Sequence, residues 1–476
     1  MISDRALAGL LLENVDHRAR PDAGGRNSYG APVLPLPELL PMGSCTVSAP
    51  DPSWWTGARA GAGALLDLDA SAETEAWEAL RSELAGWIGR PVDVAFSGSG
   101  TDAEYLATLL ALGAADDRPL THVFAGSGEA GHGTELAAAG LHFTPLPPWG
   151  GPAAPGRPLE GFPAGRISIR AVPVRDAAGH PVPAAELGGL AAREVQAALD
   201  AGSRVLVHAT ATSKTGLLAP SRGTALRRLA GDPRVTVLVD AAQGRLSFGA
   251  VRWCLEQGWL VIFTPSKFYG GPPFAGAVLA PPGRLTGVAS RRAAPAGLGE
   301  YLCRDLLPPA WTGLRRDLPR RPARGLLLRW RIGLGMIRSW WELPLERRTG
   351  LRSAFAAACE RLWTIPGVEP VAPSPRTGRT GFGIASFRVA GRRGARLELD
   401  ALRRVHRRLA EEGLLIGQAL ALGERGAALR VALGVPLAKR MLAGAARGDP
   451  HGARWLGERM AEAGARAADL AGAEPA

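Results

Sequence analysis

The segment 263–276, FTPSKFYGGPPFAG, holds Lys267 in a chain that scarcely uses lysine. Of 56 basic residues only three are lysines, Lys214, Lys267 and Lys439. Arginine, alanine, glycine and proline dominate, a bias under which lysine drifts to arginine wherever positive charge alone is needed. Arginine cannot replace an amine that must lose its proton and attack a carbonyl. Lys267, between Thr264, Ser266 and the pair Gly270–Gly271, is therefore a candidate covalent nucleophile with backbone open to close approach. Twenty-seven positions earlier the run VTVLV ends on Asp240, a carboxylate that is desolvated unless a cation answers it. In FSGSGTDAEYLATLL a strand pattern meets a helix pattern at Ser99, Gly100 and Thr101. Free N–H groups and hydroxyls at such a junction can cradle a phosphate dianion. A well-capped strand-to-helix turn uses the same residues, and the segment has neither a P-loop lysine nor GxGxxG spacing. In ALRVALG, Arg430 sits inside an apolar strand, and its guanidinium suits two-pronged binding of a carboxylate. The alternative there is an edge-strand arginine in solvent.

From about residue 92 the chain alternates short apolar runs with helical or loop stretches. The runs 92–98, 121–126, 141–146, 166–174, 203–210, 235–242, 259–265 and 274–280 are rich in β-branched and aromatic residues. Such runs between helices predict an α/β fold, a mostly parallel sheet sandwiched by helices. Ligands of these sheets bind beyond the carboxyl ends of the strands, and Ser99, Asp240 and Lys267 all follow strand runs. After about residue 320 helical stretches lead, then strand runs at 383–390, 414–420 and 428–434, which predict a smaller C-terminal α+β domain. The division expected is 1–75 as an arm with little regular structure at the active-site entrance, 76–320 as the large domain, and 321–476 as the small one. The stretch 323–343 predicts a long amphipathic helix packed between domains.

A length of 476 residues allows two or three domains and a large core. The net charge of +12 invites a polyanion, but arginines are scattered among acids, so a solvated basic surface is expected and no nucleic-acid partner. Cys45, Cys254, Cys303 and Cys359 form no CxxC pair, so neither a disulfide framework nor a metal site is expected. No apolar run reaches the roughly 18 residues a membrane span needs. The apolar stretch at the start is too soon followed by charge for a signal peptide, so the expected location is the cytoplasm.

Together these segments resemble the pyridoxal-phosphate (PLP) enzymes of the aspartate aminotransferase fold, fold type I, and most nearly the class V branch that includes the cysteine desulfurases. The resemblance covers roughly residues 90–435. It implies a seven-stranded sheet, PLP as cofactor, and a homodimer whose partners complete each other's sites. It implies that Lys267 forms the Schiff base, that Asp240 faces the ring nitrogen, and that Gln243 lies near the ring hydroxyl. Ser99, Gly100 and Thr101 would hold the phosphate, with Thr264 and Ser266 beside Lys267. HATATSKTGLLAP would bring Thr212 or Ser213 to the cofactor, and GEAGHGT makes His132 the ring-stacking candidate. Arg430 would bind the substrate α-carboxylate.

The chain departs from the desulfurase pattern. The segment 387–398, FRVAGRRGARLE, carries no cysteine where that family has its reactive one, and Ser266 replaces the usual His before the lysine. Transformation of an amino-acid substrate is expected, first as transamination and otherwise as β- or γ-elimination or replacement, including C–C bond formation. A PLP-domain transcription regulator is the remote alternative, disfavoured because about 95 residues with no evident helix pair precede the phosphate loop. Trp54 and Trp55, in the arm segment 41–61, are weighed as substrate-stacking or as packing residues, with packing preferred.

Overall fold

The computed structural model describes residues 2–44, 48–113, 117–131, 133–220, 224–373, 383–446 and 448–474. The first strand, β1 (Leu40–Met42), belongs to a small sheet. The next seven build a large one: β2 (Asp93–Ser97), β3 (Leu120–Ser127), β4 (Ile167–Pro173), β5 (Arg204–Thr210), β6 (Val235–Ala241), β7 (Leu260–Phe263) and β8 (Gly276–Ala280). Their order is β2-β8-β7-β6-β5-β3-β4, and β8 runs antiparallel to both of its neighbours while the other pairs are parallel. The α/β class and the seven-stranded, mostly parallel sheet match the expectation. β6 and β7 are almost continuously apolar because helices such as Gly100–Leu112 and Phe248–Glu256 cover the sheet.

The run 141–146 is not a strand. Leu141 makes one isolated bridge to Pro158, and Pro145, Pro147 and Pro148 remove the donors a ladder needs.

The small sheet adds β9 (Val368–Val371), β10 (Ile384–Val389), β11 (Leu414–Ala421) and β12 (Ala427–Ala432) in the order β1-β11-β12-β10-β9. β1 is parallel to β11 and the other pairs are antiparallel. β12 is thus the central strand, which removes the edge-strand alternative for Arg430.

The N-terminal segment is more regular than expected. It forms helices Asp4–Leu11 and Pro52–Leu66, and Ala70–Ile88 follows at once. Ser3, Asp51 and Asp69 cap the three through their side-chain oxygens. The helix pair 52–88 also corrects the reading that no paired helices precede the phosphate loop. It is no separate module, because both members pack on the helix Arg324–Trp341. That last helix is mostly buried, and Arg329 on it is fully enclosed. The Arg329 guanidinium donates to the carbonyls of Phe274 at 2.8 Å, Leu11 at 2.9 Å and Glu13 at 2.8 Å. The helix therefore ties the N-terminal segment to the large sheet. No helix among the described residues is long and apolar enough to cross a membrane.

Candidate functional site

A cavity of about 680 Å³ opens beyond the carboxyl ends of β2, β3, β5, β6 and β7. Its floor takes Ser99, Gly100 and Thr101 from the turn after β2, Thr212 from the loop after β5, and Asp240 and Gln243 from the end of β6. Thr264, Ser266 and Lys267 come from the segment after β7. The small sheet and its helix Leu399–Glu411 roof it with Arg403, His406, Gln418 and Arg430. Residues far apart in the chain but alike in their place at strand ends thus share one crevice.

Asp240 and Lys267 are brought together as adjacent parallel strands require. The Asp240 carboxylate accepts the Ala242 N–H at 2.8 Å. Burial opposes its ionisation, yet the hydrogen bond and charge of His208, and then the charge of Lys267, hold it below the usual aspartate range. Behind it, His208 on β5 lies 3.6 Å from Asp240 through Nε2 and 3.2 Å from Glu104 through Nδ1. Burial would lower the His208 pKa, but Glu104 first and Asp240 next raise it to about 10. Neither His208 nor Glu104 was a candidate from the sequence. Both sit in fully buried apolar elements, and only their pairing across the sheet reveals them.

The turn after β2 is both a capped helix start and a close-approach loop. Ser99 Oγ accepts the N–H of Thr101 at 3.2 Å and of Asp102 at 3.3 Å. A Cβ on Gly100 would lie 3.1 Å from the Ala242 methyl, and one on Gly276 would come within 2.5 Å of the Ser99 backbone. Only a glycine at 276 lets β8 close on this turn, and Gly100 lets the end of β6 pack tightly against it. Asp102, the next residue, is buried, with Oδ1 lacking a hydrogen-bond partner. Burial and then the negative charge of Asp16 raise it to about 7 against the restraint of Arg18. Arg18 itself is clamped by Asp16, with bonds of 3.0 and 2.9 Å from Nε, and lines the same cavity.

Of the remaining candidates, Thr212 lines the cavity and donates its hydroxyl to Ala211 O at 2.8 Å. Ser213 turns away from it into a buried network around Glu129. Glu129 accepts from the Ser213 hydroxyl, from Thr215 Oγ1 at 2.6 Å and from Arg175 Nε at 2.5 Å. Burial pushes Glu129 up, but Arg175 and the hydroxyls prevail and hold it below the usual range. Glu129 and Lys214 line the cavity and were missed, since nothing in GEAGHGT marks the glutamate's distant partners. His132 lies outside the described residues. Thr264 donates to Ala242 O at 3.0 Å and Ser266 to Pro272 O at 2.7 Å, so both hydroxyls brace the loops around Lys267. Gln243 faces the cavity with Oε1 buried and unpartnered. Arg430 donates to the carbonyls of Gln418 and Lys214, each at 3.1 Å.

Within the 1–75 arm the residues that reach the cavity lie mostly before the segment 41–61, with Ser44 inside it. His17, Arg18, Ser28, Tyr29, Gly30 and Ser44 line it. Trp54 and Trp55 are buried in the helix Pro52–Leu66, where Trp55 Nε1 donates to Asp4 Oδ1 at 2.7 Å, the packing role preferred from the sequence.

No protein-family model and no curated protein matches the chain. Solved structures do. A C-DES variant with glycine covalently linked to the PLP cofactor is 15% identical, with a TM-score of 0.55 over 97% of this chain and 100% of that one. The S-sulfonic acid form of cysteine desulfurase CsdA from Escherichia coli is 14% identical, with a TM-score of 0.55 over 91% of this chain and 96% of its own. Mouse CSAD is 15% identical, with a TM-score of 0.55 over 91% of this chain and 84% of its own. The chain has the fold of these proteins. Likeness at such identity fixes the architecture, and what the chain does must be argued from its own cavity.

Proposed function

We propose that the chain binds pyridoxal phosphate at Lys267 and transforms an amino-acid substrate. The observation that carries this reading is the meeting of Lys267, Asp240, the 99–101 turn and Arg430 around one cavity at the strand ends. The donor set fits the cofactor. Ser99, Gly100 and Thr101 line the cavity at a helix start, which suits a phosphate, Gln243 offers an unpartnered oxygen, and an ionised Asp240 suits a protonated ring nitrogen. When bound, the group supplies an electron sink for a carbanion at the substrate Cα. Lys267 is the amine that holds it covalently and, once released, moves a proton at Cα as general acid and base. Arg430, already anchored through two carbonyls, retains Nη2 for a carboxylate and so orients the Cα bonds.

Transamination is the first reading of the reaction, and elimination or replacement the second. The second is kept because structures that share the fold include cysteine desulfurases. Sulfur relay through Cys254, Cys303 or Cys359 has no such support: all three are buried away from the cavity, with burial first of all pushing Cys303 up to about 12 and Cys359 higher still. Cys45 lies outside the described residues. A homodimer, a cytoplasmic location, and domains divided near residues 75 and 320 complete the proposal.

The test is a visible absorption spectrum of the purified protein with and without borohydride, repeated for Lys267→Arg. Wild type is expected to show a band that borohydride bleaches and fixes on Lys267, and the variant none. A colourless wild type, or a band that survives in Lys267→Arg, overturns the assignment. Catalytic keto-acid formation with ammonia release and no added acceptor would exclude transamination.

A further inference from the structure

Behind Asp240 three titratable groups stand in line across the sheet; burial raises the Glu104 pKa and His208 beside it works against that rise. Glu104 projects from the helix Gly100–Leu112, His208 from β5 and Asp240 from β6. The imidazole lies between the two carboxylates, at 3.2 Å from Glu104 and 3.6 Å from Asp240. Glu104 and His208 expose no side-chain surface, while Asp240 keeps 14% at the cavity. Phe124 stacks on the His208 ring, with centroids 3.9 Å apart and planes at 22°, which fixes the ring's orientation. His122 on β3 is the fourth polar group facing His208, with ring centroids 5.8 Å apart. Burial, and then the charge of His208, hold His122 well below the usual histidine range and therefore neutral. On the cavity side Lys267 is the cation acting on Asp240. A doubly protonated imidazole presents an N–H and a positive charge to both carboxylates at these ion-pair distances, none of which is a full hydrogen bond. A neutral one withdraws the charge from both and leaves Glu104 with no donor, whereas Asp240 keeps the Ala242 N–H.

We propose that Glu104 and His208 are positioning residues for Asp240: Glu104 keeps His208 doubly protonated, and His208 keeps Asp240 ionised and aimed into the cavity. The proposal rests on the reading of Asp240 as the acid beside the cofactor ring, but its first half concerns the protein alone. Glu104, His122 and His208 also place their ligand atoms within 4.8 Å of one another, a spacing open to a metal ion. Three protein donors hold zinc where water takes the fourth position, so bound zinc is the outcome that would replace this reading.

The experiment has an arm without the cofactor and an arm with it. In ¹⁵N-histidine-labelled, cofactor-free protein, one imidazole, absent from the spectrum of His208→Gln, is expected to keep both ring protons at pH 8. In Glu104→Gln it should titrate ~1–3 pH units lower, the range for losing an opposite charge at contact distance. A neutral His208 at pH 7 in wild type overturns the proposal, and needs no variant to fold. An imidazole unmoved by Glu104→Gln, or stoichiometric bound zinc, overturns it as well. With pyridoxal phosphate labelled at its ring nitrogen, that nitrogen should lose its proton at lower pH in Glu104→Gln than in wild type, and Glu104→Asp should restore part of the difference. No difference overturns the second half. If the first arm holds and no cofactor binds, the proposed function fails while the coupling of Glu104 to His208 stands.

Discussion

Asp102→Asn removes one titratable group from the buried helix start next to the Ser99–Thr101 turn and keeps the side chain's shape. Asp102 occupies the first turn of the helix Gly100–Leu112, is almost wholly buried, and has an unpartnered Oδ1. Burial, with the charge of Asp16 added, raises its pKa from 3.8 to about 7, and Arg18 limits the rise. At ~1.36 kcal/mol per pH unit, that difference makes the ionised form cost about 4 kcal/mol in the folded protein. The sign follows from linkage. A carboxyl raised on folding leaves stability intact below its unfolded pKa of 3.8 and diminishes it as the pH climbs through about 7. Asparagine cannot ionise, so the variant should match wild type near pH 4, exceed it by about 2 kcal/mol at pH 5, and exceed it by about 4 kcal/mol above pH 7, where the gap levels off. Titrating groups that do not act on Asp102 are common to both proteins and cancel. Denaturant unfolding of the two cofactor-free proteins between pH 4.5 and 8.5 measures the gap. A gap that stays constant over that range would show the carboxyl already ionised at the acid end, with Arg18 dominating over burial, and the reasoning would fail.

Two further substitutions follow from the same map. Arg430→Gln should raise KM for a carboxylate substrate by about tenfold to a hundredfold, with Arg430→Lys no rescue because an ammonium cannot keep the Gln418 and Lys214 carbonyls and a carboxylate together; unchanged KM values in steady-state kinetics would remove it from the substrate site. Arg329→Leu leaves the carbonyls of Leu11, Glu13 and Phe274 without their donor and should cost about 3 kcal/mol or more, with proteolysis advancing first into residues 2–44. Thermal unfolding and limited proteolysis read the two effects.

Much of this architecture was legible because a parallel sheet buried on both faces writes its strands as unbroken apolar runs, as in VTVLVD for β6 and LVIF for β7. β1, LPM, and β9, VEPV, escaped because three or four residues around a proline carry no period. The same physics misled at 141–146, where Pro145 interrupts a short apolar run and Pro147 and Pro148 follow it, none of which can donate to a ladder. Lys267 stood out by rarity and Asp240 by its place at the end of an apolar run. Glu104 gave no signal, since all of Thr101–Leu112 is buried and the helix has no polar face for a buried acid to interrupt. His208 reads as one more strand residue until β5 and β6 are set side by side, with Thr210 opposite Asp240. Glu129 likewise depends on Arg175, Ser213 and Thr215, partners that only the fold assembles.

Asp240 at the cavity and Asp102, next to the Ser99–Thr101 turn that lines it, answer burial in opposite directions. Asp240 has His208 behind it and Lys267 before it, and stays ionised. Asp102 has Asp16 as a neighbour and shares Arg18 with it, and is driven toward neutrality. Paired groups whose surroundings separate their pKa values mark distinct roles within one site. An ionised carboxylate is the partner of a cation, so the β6 end suits a protonated ring nitrogen. A neutral carboxyl is a hydrogen-bond donor, so the helix start beside Ser99–Thr101 suits an anion, and a dianion there would raise Asp102 further and draw a proton onto it near pH 7. On the proposed function, the β6 end of the cavity would take a cation and the Ser99–Thr101 turn an anion, and a ligand with a basic ring and a phosphate would meet both from a cavity that Lys267 also lines.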